Sequence, residues 1–94
     1  MALSVREMPA PDRPRERLFR LGPASLTAVE LIAIILSTGR SGSSAVEVAA
    51  SLLQEGGPAL GDLARRSPPA LVRTAGIGPA KAARVAAALE LGRR

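Results

Sequence analysis

An all-α fold is predicted by three features of this 94-residue sequence. Hydrophobic residues make up 47% of it, yet Phe19 is the only aromatic, so a core must be assembled from Leu, Ile, Val and Ala. Ala and Leu are strong helix formers, and small side chains let helices approach closely. Apolar residues recur at helical spacing between Gly and Pro breaks, and twice a Ser or Thr with Glu three positions on marks a helix start. A chain of this length makes one small domain, which buries about 60–65% of its unfolded surface. The pattern divides it into a compact bundle of about five to six short helices.

Residues 1–12 contain Pro9 and Pro11 without sustained periodicity and read as a flexible N-terminal arm; the domain proper is 13–94. Asp12 or Arg13 caps a helix entered by Pro14, which runs to about Leu21 and is stopped by Gly22-Pro23. Leu18 and Leu21 supply its core contacts, while Arg13, Arg15, Arg17 and Arg20 stay solvated. Thr27-Ala-Val-Glu30 is a capping box. The helix it opens, to about Ser37, is apolar on several sides through Leu31, Ile32, Ile34, Ile35 and Leu36, the mark of a central helix. A loop rich in glycine and hydroxyls follows over 38–44. Ser44-Ala-Val-Glu47 is a second capping box, opening a helix through Val48, Ala49, Leu52 and Leu53 that Gly56-Gly57-Pro58 ends. A connecting helix over about 60–66 turns Leu60, Leu63 and Ala64 inward. Ser67, followed by Pro68-Pro69, caps the short helix that leads through 70–74. The last helix, from Pro79 to about Gly92, carries the core stripe Ala82, Val85, Ala86 and Leu89. Glu90 and Arg94 pair at i,i+4, and Leu91 lies off the stripe, where it can pack on a neighbour.

Composition excludes several function classes. No cysteine is present, so disulfide and thiolate chemistry are absent, in keeping with a reducing cytoplasm. No histidine is present either, which removes the commonest general base and transition-metal ligand. Glu30 and Glu47 read as caps rather than catalytic acids. Without a nucleophile–base set or a metal cluster, the chain is expected not to be an enzyme and to need no cofactor. The longest apolar run, 31–36, is far too short to span a bilayer, and the N-terminus does not read as a secretory signal. Thirteen basic residues against eight acidic ones give a net charge of +5, and all the basic residues but Lys81 are Arg. Such a balance favours polyanionic partners.

Residues 71–91 organise the rest. A short apolar helix pattern leads into Gly76-Ile77-Gly78, and a long Ala-rich one leaves it. Gly76 can take the left-handed conformation that ends the first helix. Ile77 tucks inward to lock the turn. Gly78 leaves the backbone bare before Pro79, which suits the first helical position. The free N–H groups of the second helix then face outward at its positive dipole end, a good seat for phosphate. Lys81 falls in the first turn, and Arg84 lies one turn on along the same side.

Gly76-Ile77-Gly78-Pro79-Ala80-Lys81-Ala82 resembles the hairpin of the helix-hairpin-helix DNA-binding motif, with small Ala82 where that motif packs its helices closely. A second, degenerate unit precedes it: a helix, Gly39-Arg40-Ser41-Gly42, then another helix. Superposing Gly42 on Gly78 brings Ala49 onto Val85 and Leu53 onto Leu89, which suggests a pseudo-two-fold pair of hairpins.

Together with Arg13-Pro-Arg-Glu-Arg-Leu, the run Leu26 to Gly39 and Ala87-Ala-Leu-Glu-Leu-Gly-Arg93, this order resembles the N-terminal region of RadC-type proteins (UPF0758), traditionally described as DNA repair proteins. The resemblance implies a helix-hairpin-helix domain, RuvA domain 2-like, in a bacterial DNA-binding protein. Members continue into a JAB/MPN metalloprotease-like domain with a His-x-His-Pro zinc motif and a downstream Asp. Having no histidine, this chain inherits no metal or catalytic residue from it, and is expected to be an excised domain or a truncated protein.

The expected function is non-sequence-specific DNA binding to the phosphate backbone of duplex or branched DNA. Gly76, Ile77, Gly78 and Ala80 would form the phosphate-binding turn, with Lys81 and Arg84 as flanking charges. Arg40, Ser41, Gly42 and Ser43 would make a second contact. Phosphate contacts position a protein without reading sequence, and the lack of Trp and Tyr argues against base stacking. The alternative is a docking or regulatory module for its own absent C-terminal domain or a repair protein, through Leu91 and the 13–20 face. No membrane partner is expected.

Overall fold

A computed structural model of the chain describes residues 13–40, 42–56 and 60–94. The arm expected over residues 1–12 lies outside the described residues. Among those described there are six α-helices and no strand: α1 Pro14–Leu21, α2 Ala28–Leu36, α3 Ala45–Gly56, α4 Leu60–Ala64, α5 Pro68–Leu71 and α6 Pro79–Arg93. A 3-10 turn, Pro23–Ser25, joins α1 to α2.

Local chemistry accounts for the helix ends. Pro14 opens α1, and Gly22, at φ +89°, stops it while its N–H donates to the Leu18 carbonyl. At α2, the Thr27 hydroxyl accepts from the Glu30 N–H at 3.2 Å, and the Glu30 carboxylate accepts from the Thr27 N–H at 2.9 Å. The same reciprocal pair opens α3, between Ser44 and Glu47, at 3.0 and 3.2 Å. Ser67 caps α5 by accepting from the Ala70 N–H. Both capping boxes follow from a hydroxyl and a glutamate three positions apart.

The central helix is α2, which packs against α1, α3 and α6. Leu36, Leu52, Leu63, Leu71 and Val85 are wholly buried, and Ile32, Ala33, Val48, Ala49, Ile77 and Ala82 close the core around them. Helix α6 has the expected stripe, with Ala82 and Val85 buried and Ala86 and Leu89 partly so.

Three expectations at the edges change. Leu21 is 56% exposed and Leu60 45% exposed, and Ala64 also faces solvent. Helices of eight and five residues have room for only a narrow inward stripe, and Pro14 and Leu63 occupy it. Arg17 is not solvated but half-buried, donating to both Glu30 carboxylate oxygens at 2.7 and 3.1 Å and to the Ser25 carbonyl. It bolts α1 and the 3-10 turn to α2. Finally, α4 ends at Ala64 rather than 66, because Arg66 turns back to donate to the Leu52 and Ala70 carbonyls.

Candidate nucleic-acid interface

The turn between α5 and α6 is built from the inside. Thr74 is 1% exposed, and its hydroxyl donates to the Glu55 carboxylate at 2.6 Å. Its carbonyl accepts from the Ile77 N–H at 3.0 Å. Gly76 stands between them at φ +92°, the left-handed conformation expected of it. Ile77 is buried at 3% exposure and locks the turn. Gly78 is the N-cap of α6 in extended conformation, Pro79 takes the first helical position, and the Ala82 N–H closes the first helical bond on the Gly78 carbonyl.

What this turn presents differs from the other long helices. Gly78, Pro79 and Ala80 are exposed, and α6 has neither a capping side chain nor an acid in its first turn. Among the described residues no acceptor takes the N–H groups of Gly78, Ala80 or Lys81. A Cβ placed on Gly78 would meet nothing within 4 Å, so the approach is open. At α2 and α3, by contrast, Glu30 and Glu47 occupy the N-terminus with their own negative charge. Partial burial pushes the Glu30 carboxyl up. The Thr27 N–H, the Arg17 guanidinium and the Thr27 hydroxyl outweigh it and hold the group below the ordinary glutamate value. Glu47 is likewise lowered, chiefly by the Ser44 N–H. Those two ends already hold an anion; the end of α6 holds none among the described residues.

The second unit is not a copy of the first. Ala49 and Val85 are both buried, whereas Leu53 is buried and its expected counterpart Leu89 only partly so. The turn differs, since Gly42, its second glycine, is the left-handed one, at φ +84°, and α3 is capped two residues later by Ser44. The extra residue between the glycines lets Arg40 and Ser43 exchange two backbone hydrogen bonds, at 2.9 and 3.0 Å. Ser41 lies outside the described residues.

The two sets of candidate residues meet. The aliphatic stem of Arg40 lies over Gly76, where an added Cβ would come within 2.9 Å of Arg40 Cδ and 3.1 Å of Val48 Cγ2. Lys81 reaches the other way, its ammonium donating to the Thr38 and Gly39 carbonyls at 2.7 and 2.9 Å. Arg40 and Arg84 are both exposed residues. An open groove of about 620 Å³ runs from the start of α1 to the 38–44 loop, lined by Arg13, Arg15 and Arg40, by Glu16 and Glu47, and by the apolar Ala33, Ile34 and Ala45 among others. No local sequence pattern marks Thr74 or the Arg40–Gly76 contact, and only the demand for glycine at 76 hints at the latter. Among the described residues no cluster of acidic side chains could hold a metal, and no helix is long and apolar enough to cross a membrane.

A family model described as UPF0758 N-terminal matches residues 5–83. The chain belongs to the UPF0758 family. It is 46% identical over 92 residues to a UPF0758 protein of Aeromonas salmonicida, covering 98% of this chain and 41% of that protein. A UPF0758 protein of Pseudomonas syringae is 47% identical with the same coverage, and one of Chloroflexus aggregans is 46% identical over the whole chain. The chain thus spans about 41% of the length of these curated UPF0758 relatives. No solved structure matches it.

Proposed function

We propose that this UPF0758 domain is a non-sequence-specific DNA-binding module that grips the phosphate backbone at the N-terminus of α6, in the service of repair or recombination. One observation carries the reading: α6 alone among the three longest described helices begins without a side-chain cap or an acid, and its first N–H groups have no acceptor among the described residues. Arg40 and Arg84 add positive charge around that end. The chain's net charge of +5 works in the same direction. The contacts are to phosphate, so they position the duplex without reading its sequence.

Fluorescence anisotropy with labelled duplex and branched DNA tests this at low and moderate salt. Binding that weakens steeply with salt is expected, log K falling by about 0.9 per phosphate neutralised. Gly78→Ala and Arg84→Ala should each weaken it while the helical circular dichroism stays unchanged. No binding to either DNA at low salt by the folded protein sinks the proposal.

A second reading is a docking module for another protein or for the remainder of a full-length UPF0758 chain. It is favoured by Phe19 and Leu91, which stand 84% and 75% exposed. Association that persists at high salt and is lost in Phe19→Ala or Leu91→Ala would mark it.

A further inference from the structure

The sole lysine of the chain does not reach outward. Its ammonium donates to two backbone carbonyls of the segment that follows α2, at Thr38 and Gly39. This segment leaves α2 through Ser37 at φ +71°, beside the negative end of the helix dipole, which suits a cation. Gly39 lies so close to the backbone of Ser43, Ser44 and Ala45 that a side chain there has no room. The double backbone bond between Arg40 and Ser43 fixes the next residue in turn. Lys81 therefore ties a stiff segment to the first turn of α6, and the residue at its end is Arg40, whose stem crosses Gly76. The guanidinium, one bond beyond Cδ, is thereby carried to the turn that opens α6.

We propose that Lys81 is a positioning residue, which pins the 38–40 segment so that Arg40 supplies the side-chain cation at the α6 N-terminus. The inference rests on the DNA-backbone reading and deepens it by assigning the two cations different tasks. Two of the three ammonium protons are held by carbonyls, so Lys81 is poorly placed to serve as the main phosphate contact. Carbonyl dipoles offset its charge, which lets a second cation sit nearby. Arg40 keeps its planar fork for phosphate oxygens. Bringing it in from another part of the chain joins the two glycine-containing turns into one site.

A double-mutant cycle on DNA affinity tests the assignment, using Arg40→Gln, Lys81→Met and the pair. Each single variant should weaken binding severalfold and lower the salt slope by about one phosphate contact. The pair should be no weaker than the worse single variant, because Lys81 acts through Arg40. Effects that multiply would overturn the proposal, since Lys81 would then touch phosphate on its own. Amide chemical shifts give a readout independent of DNA. Lys81→Met should move the signals of Thr38, Gly39, Arg40 and Gly76, whereas Arg40→Gln should leave Thr38 and Gly39 in place. Unmoved signals in Lys81→Met refute the tether whatever the DNA result. A wild-type chain that binds no DNA, with the shifts moving as expected, refutes the DNA reading and Arg40's task while the tether stands. Should Lys81→Met fail to fold, Lys81→Gln takes its place in both measurements, with the same outcomes supporting or overturning the proposal.

Discussion

A methyl group added at position 76 and one added at position 78 meet opposite surroundings. At Gly76 the backbone is left-handed at φ +92°, and the new carbon would press on Arg40 Cδ at 2.9 Å and Val48 Cγ2 at 3.1 Å. At Gly78 the backbone is extended at φ −86°, with nothing within 4 Å. Gly76→Ala should therefore lose about 1–3 kcal/mol, or several degrees of melting temperature in a domain this small. Gly78→Ala should lose less than about 1 kcal/mol, the difference between glycine and alanine as an N-cap. Thermal melts followed by circular dichroism decide between these, and equal losses would deny the left-handed turn its role. Gly76, Ile77 and Pro79 could be read correctly in advance because their tasks are set by near neighbours. The destination of Lys81 could not, since its partners lie 43 and 42 positions away, and no pattern around Lys81 names Thr38 or Gly39.

Helix starts show the same division between local and distant causes. A hydroxyl and a glutamate three positions apart predicted the caps of α2 and α3, and both formed with reciprocal hydrogen bonds. The bareness of α6 follows equally from its own residues. Installing an acid there should separate stability from binding. Gly78→Asp supplies a capping carboxylate at the positive end of the dipole, in a position with free space and compatible backbone. It should hold or raise stability by a few tenths of a kcal/mol. At the same time it places a negative charge where phosphate would sit, so DNA affinity should fall more than in Gly78→Ala. A variant that melts no lower than wild type and binds DNA as well as wild type would contradict the assignment of this end. Where packing decided the outcome, the sequence said less. Leu21 and Leu60 have the residue type of core positions, but short helices at the margin left them outside. Arg17 reads as solvated until the turn at Pro23–Ser25 folds α1 back onto α2 and brings it to Glu30, 13 positions on.

At the scale of the molecule, acid is the expected weakness. Glu30, Glu47 and Glu90 are all held below the ordinary glutamate value of 4.5, the last by bonds from Arg93 and Arg94. A carboxylate lowered on folding contributes stability in full above its unfolded value and loses it as pH falls through the folded one. Melting temperature should thus be flat above about pH 5 and fall below it, as positive charge also accumulates on an already basic chain. Glu30→Gln should start lower at neutral pH and show a shallower acid decline, since its share of the linkage is gone. An unchanged acid profile in that variant would mean the α1–α2 tie contributes nothing. The helical class and the central place of α2 were legible because an aliphatic, alanine-rich composition admits few other solutions. The meeting of the Arg40 stem with Gly76 was not, because it depends on how α2, α3 and α6 pack.

That same composition leaves the sole aromatic ring, Phe19, 84% exposed in a chain with no Trp, Tyr or Cys. The protein is consequently almost transparent in the near ultraviolet. Any nucleic acid carried through purification will dominate the absorption spectrum, which makes the spectrum itself a test for bound polynucleotide. By the same logic, Phe19→Trp places one indole in solvent on α1, against a silent background. Its emission would report on whatever comes to rest against that face.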